Sequence, residues 1–121
     1  MNLSKVESLP TEMKVGDRIY EIFCFLKKNE EKINSYEMTR RAKEMNAHLG
    51  EDDAQYLLDH RQDIPIILRD KVTFVFTDWN RYPDDLSEVY FVYYAGNCWV
   101  GNWYHLGGGP LFGEGFFLRP K

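Results

Sequence analysis

The dipeptide Gly96-Asn97 stands between two runs of aromatic and β-branched residues, 88–95 and 98–106. Gly accepts the positive φ that a two-residue hairpin loop demands, so the runs are expected to pair as antiparallel strands. A loop of this length also sets the register. Ala95 then falls opposite Cys98, Tyr94 opposite Trp99, Val92 opposite Gly101, Tyr90 opposite Trp103 and Glu88 opposite His105.

Side chains alternate along a strand, so the two faces of this hairpin can be read off. Val89, Phe91, Tyr93, Ala95, Cys98, Val100, Asn102, Tyr104 and Leu106 share one face, expected to be the core face. Glu88, Tyr90, Val92, Tyr94, Trp99, Gly101, Trp103 and His105 share the other. This second face is an aromatic plate with a notch at Gly101 and a Glu–His pair at its edge. Cross-strand aromatic pairs stabilise a hairpin by about 0.2–1 kcal/mol each, so the plate has a structural use beneath the chain's own helices or a twin subunit. Tyr and Trp also stack on flat ligands and partner side chains. Tyr90, Tyr94, Trp99, Trp103, His105 and Glu88 are accordingly the candidate ligand- or partner-binding residues.

The rest of the chain reads as mixed. Residues 1–60 hold five of the aromatics and residues 61–121 hold fourteen, with seven of the nine glycines, so strands gather in the second half. Residues 1–14 read as an arm, interrupted by Pro10. Arg18 to Leu26 is an apolar run read as a strand, since its β-branched and aromatic content outweighs the helical alternative. Asn34 is placed to cap a helix, with Glu37 three residues on. Met38, Ala42, Met45 and Leu49 form its apolar stripe, Glu37 and Arg41 an i,i+4 pair, and Gly50 its left-handed stop. A second helix over 51–63 opens on Glu51-Asp52-Asp53, buries Ala54, Leu57 and Leu58, and ends before Pro65. Residues 72–79 alternate as a strand, 79–87 read as a polar loop, and 116–119 as a last short strand.

With 121 residues and 44% hydrophobic content, one domain over 15–121 with its own core is expected. Fifteen Lys and Arg stand against nineteen Asp and Glu, a net charge of −4, which argues against nucleic acid. Cys24 and Cys98 are the only thiols, and no apolar leader precedes them. A cytoplasmic setting with both thiols reduced is expected, with Cys24 a small core residue. No run of apolar residues is long enough for a membrane span.

Catalytic signatures are sparse. Cys98 and His105 lie on opposite faces and more than about 20 Å apart along the strand, too far for a nucleophile and its base. His48 and His60 come without zinc-ligand spacing, and Asp78, Asp84 and Asp85 match no calcium loop, so no metal and no cofactor are expected. The glycine-rich stretch 107–115 lacks any phosphate-cradle motif and reads as a connection or as a lid beside the plate.

These features together imply an α+β domain: an antiparallel sheet of four to five strands with two helices packed on one face. The expected function is that of a non-enzymatic binding or interaction module using the aromatic face. Its compatible partners are a protein, a small flat ligand or a second copy of the chain, and not a membrane. One alternative is a small enzyme with Glu88 and His105 as an acid–base pair beside the glycine-rich loop. Another is a winged-helix-like protein for protein or nucleic acid, which requires residues 17–28 to be helical.

Overall fold

The computed structural model describes residues 10–24, 35–82, 85–105 and 114–121. Six strands and two helices run in the order β1 (Glu12–Val15), β2 (Arg18–Cys24), α1 (Ser35–Glu44), α2 (Glu51–Asp59), β3 (Val72–Tyr82), β4 (Asp85–Ala95), β5 (Cys98–His105) and β6 (Glu114–Pro120). Two 3-10 turns, Arg61–Asp63 and Ile66–Leu68, lie between α2 and β3. The fold is α+β, as expected. The sheet differs: it has six strands in the order β1-β2-β6-β3-β4-β5, and it is mixed. β6 pairs antiparallel with β2 but parallel with β3, through Phe74 and Phe116. The last strand thus enters the centre of the sheet, between strands separated from each other by two helices.

The sheet also starts earlier than the sequence reading has it. Glu12–Val15 forms β1 rather than the end of an arm, and Met13 and Val15 are buried. Gly16, at φ 60°, turns β1 into β2, which pairs with it from Arg18. Arg18–Cys24 is a strand, which removes the helix that a winged-helix arrangement needs. Cys24 is exposed rather than core, and neither cysteine is in a disulfide. Phe25, Leu26 and the Asn34 cap lie outside the described residues.

Helix α1 stops at Glu44. Asn46, at φ 57°, takes the left-handed position expected of Gly50, and the Ala47 N–H reaches back to the Ala42 carbonyl at 2.8 Å. This is a Schellman closure with Asn in place of Gly. Gly50 has an extended backbone instead and caps α2. A β-carbon there would stand 3.1 Å from the Asp78 carbonyl, so Gly permits the close approach of the linker to β3. The Glu37–Arg41 pair forms at 2.8 Å. Helix α2 buries Ala54, Leu57 and Leu58, and residues 61–63 continue as a tighter 3-10 turn rather than as helix.

The helices lie on opposite faces, not on one. Ala54, Leu57 and Leu58 of α2 join a cluster with Tyr20, Phe74, Phe76, Val92, Trp99 and Leu118. Met38 and Ala42 of α1 join another with Val75, Val89, Phe91 and Phe117. Neighbouring residues of one strand, Phe74 and Val75 or Phe117 and Leu118, divide between the clusters, as alternation requires. Residues 72–77 are consequently buried on both faces of β3. Leu49, placed by the sequence on the α1 stripe, follows the helix end and packs on the α2 side.

Candidate aromatic binding surface

The β4–β5 register is the expected one at every position from Glu88↔His105 to Ala95↔Cys98. Gly96 has φ 68° while Asn97 does not have positive φ, which fits the primed turn with Gly first. The loop makes Ala95–Cys98 a hydrogen-bonded pair, so Tyr94–Trp99 and Tyr90–Trp103 are the closer, non-bonded pairs. Their rings meet edge-on, with centroids at 5.5 and 5.2 Å.

Trp79 joins this group, which the sequence reading missed. The segment read as a polar loop from Trp79 onward is strand as far as Tyr82, and β4 already begins at Asp85. Between Phe76↔Tyr90 and Asn80↔Val89, β3 advances four residues while β4 advances one. This bulge carries the Trp79 ring to 4.1 Å from Tyr90 and 5.1 Å from Trp103. The signal was a broken alternation: Phe74 and Phe76 are followed by Trp79, out of phase by one.

Trp79, Tyr90 and Trp103 are half-buried and form a continuous band across β3, β4 and β5. Trp99 does not belong to it. That residue is 2% exposed, lies 5.6 Å from Phe74 and is part of the core beneath α2. The notch at Gly101 is occupied as well. A β-carbon there would collide with the Tyr90 hydroxyl and ring, so Tyr90 lies across the glycine. Burial pushes the Tyr90 phenol pKa up, and the Arg61 charge opposes that. Tyr94 is half-buried beside Trp99, with the Arg69 guanidinium 5.0 Å from its ring centre.

β5 is an edge strand, and residues of its non-bonded pairs direct backbone groups outward. Two of these groups are capped from within the chain. Arg61 Nη1 donates to the Trp99 carbonyl at 2.8 Å, and the Trp103 N–H donates to Asn102 Oδ1 at 2.8 Å. Arg61 is itself braced by Nε donation to the Leu58 carbonyl at 2.8 Å.

At the far end of the band Glu88 pairs with Arg81 at 3.3 Å. His105 stands opposite Glu88 in register, and only its backbone is described. Of the glycine-rich stretch 107–115, read as a connection or a lid, residues 107–113 lie outside the described residues, and Glu114 and Gly115 open β6. Cys98 sits at the hairpin turn, exposed and seven residues from His105. Among the described residues no group of three or more His, Cys, Asp or Glu could hold a metal ion, and no helix is long and apolar enough to cross a membrane.

Two further polar clusters brace the fold. Tyr56 donates to Asp17, accepts the Asp17 N–H at 2.9 Å, stacks on His60 and lies under the Arg18 guanidinium. The Tyr56 hydrogen bond holds the Asp17 carboxyl below its usual range. Together these contacts tie the β1–β2 turn to α2. In the α1–α2 linker, His48 places Nδ1 2.9 Å from Thr77 Oγ1 and Nε2 3.1 Å from Asp78 Oδ1. This resembles a hydroxyl–imidazole–carboxylate relay, but Thr77 is fully buried and Asp78 exposed. A nucleophile must reach its substrate, so the arrangement suits a clamp rather than catalysis.

Comparison with known protein families, with curated proteins and with solved structures returned no match for this chain.

Proposed function

We propose that the chain is a binding module whose working surface is the aromatic band of Trp79, Tyr90 and Trp103, with Tyr94 beside it. The supporting observation is that three large rings on three adjacent strands touch one another while each stays half-exposed, beside a core where Trp99 is fully enclosed. Rings held rigid by mutual contact present apolar area at little entropic cost, which favours recognition of flat ligands or partner side chains. Glu88 is engaged by Arg81, which favours a binding role over the acid–base alternative.

Labelling with 5-fluorotryptophan resolves the three indoles by fluorine NMR. Aromatic fragments are expected to move the Trp79 and Trp103 signals and leave Trp99 nearly still, and Trp103→Ala should abolish the response while preserving the circular dichroism spectrum. A Trp103 signal blind both to solvent isotope and to an entire fragment set overturns the proposal.

A further inference from the structure

Of the seven arginines, five hold carboxylates: Arg18, Arg40, Arg41, Arg81 and Arg119. Arg61 and Arg69 have no carboxylate partner among the described residues. Both lie on the connection from α2 to β3, and both lean on one cross-strand pair. Arg61 bonds the Trp99 carbonyl and Arg69 lies over the Tyr94 ring.

Among the described residues, two of the four buried polar side-chain atoms without a hydrogen-bond partner lie at the same pair. Arg69 Nε is buried without a partner, and so is Trp99 Nε1, although Trp99 is 98% removed from solvent. Both atoms are donors only. A buried donor left unpaired is costly, and native structures rarely keep one without a protein or water partner. Asp59 and Asp63, on either side of Arg61 in the chain, do not pair with it: Asp63 accepts the Gly16 N–H at 2.9 Å, and Asp59 accepts the Gln55 amide at 3.1 Å. Two guanidinium groups without a carboxylate partner, one of them with its Nε buried and unpaired, stand beside one aromatic pair and favour an acceptor with negative charge.

We propose that Arg61 and Arg69, which flank the half-buried Tyr94 ring beside Trp99, receive the carboxylate or phosphate group of a ligand. The inference rests on the reading that this face binds, and it assigns the ligand its charge: a flat molecule with an acidic group, the anion at the arginines and the ring against Tyr94, at the turn end of the aromatic face.

Phenyl phosphate, benzoate, neutral benzyl alcohol and inorganic phosphate are titrated into nitrogen-15-labelled protein, following indole and arginine Nε resonances. The acidic aromatics are expected to bind at least about tenfold more tightly than benzyl alcohol, to move the Trp99 indole and Arg69 Nε signals, and to weaken as salt rises. The stronger of phenyl phosphate and benzoate identifies the acidic group. Arg69→Gln should remove most of the tenfold advantage. It is the decisive variant because Arg61 also braces β5, and the salt titration gives the same test without any substitution. Benzyl alcohol binding as tightly as the acids overturns the anion site and leaves the aromatic surface standing. Inorganic phosphate moving Trp99 while no aromatic compound moves Trp103 supports the anion site and sinks the reading of the Trp79–Tyr90–Trp103 band as a binding surface. Silence from all four probes overturns both.

Discussion

Trp99 and Trp103 lie on the same strand, on the same face and four residues apart, each opposite a tyrosine of β4. One is sealed into the core and the other is half-exposed. Nothing in strand alternation separates them. What separates them is the chain overhead. Helix α2 and the 3-10 turns after it cross the turn end of the hairpin, where Leu57, Leu58 and Leu68 share a cluster with Trp99. At the open end the rings of Trp79, Tyr90 and Trp103 support one another instead. A plate of uniform composition is thus half foundation and half surface.

The largest expected effect tests that division. Trp99→Ala should cost about 3–5 kcal/mol, since it removes a large buried side chain and leaves a cavity. Trp103→Ala should cost roughly 1 kcal/mol, the scale of cross-strand aromatic contacts. Urea denaturation of both variants measures the gap. Equal costs would mean that the open end is core too, and the proposed surface would lose its basis.

Much of this hairpin was legible in the sequence because its determinants are local. Gly96 fixes the turn, the turn fixes the register, and alternation fixes the faces. The helical segments were legible for the same reason, through the spacing of Met38 and Ala42 and of Ala54, Leu57 and Leu58. Three features were not, and each is non-local. The insertion of β6 beside β3 brings Phe116 to Phe74 across more than forty residues, which no local pattern encodes. The placing of α1 and α2 on opposite faces depends on which alternate residues of β3 are apolar, and Val75 is as apolar as Phe74 and Phe76. The bulge that brings Trp79 to the band leaves only a slipped alternation in the sequence. Of the candidate site, Tyr90 and Trp103 were legible as opposed rings on one face. Arg61 and Arg69 were not, because their contacts with the Trp99 carbonyl and the Tyr94 ring arise only in the folded chain.

The middle of the comparison is Gly101, between the sealed and open rings. Gly101→Ala would push a methyl group into the ring and hydroxyl of Tyr90. Overpacking of this kind costs about 1–3 kcal/mol. The displaced Tyr90 should also release its contacts with Trp79 and Trp103, so fluorine signals from both should shift while Trp99 moves less. Added to Tyr90→Ala, the change should cost little further stability, because the collision is then absent. A full, additive penalty in the double variant would show that Gly101 is required for a reason other than the tyrosine above it.

The smallest effect concerns the border of the open end. His48 clamps the α1–α2 linker onto Thr77 and Asp78, next to Trp79 in the chain. Burial lowers the His48 pKa, with Asp78 opposing and Lys43 assisting. The folded state then binds the proton less readily than the unfolded chain, whose histidine titrates near about 6.5. The clamp therefore contributes in full above that value, and its contribution falls as pH drops through it toward the lower folded pKa. The denaturation midpoint should decline between about pH 7 and pH 5, and His48→Gln should flatten that part of the profile. If the linker loosens locally, the Trp79 signal should respond in this window before that of Trp99. A profile identical in His48→Gln would assign the decline to other groups and leave His48 as a contact without a titration role. A response of Trp99 as early as Trp79 would mean that the sealed and open ends of the plate do not loosen separately.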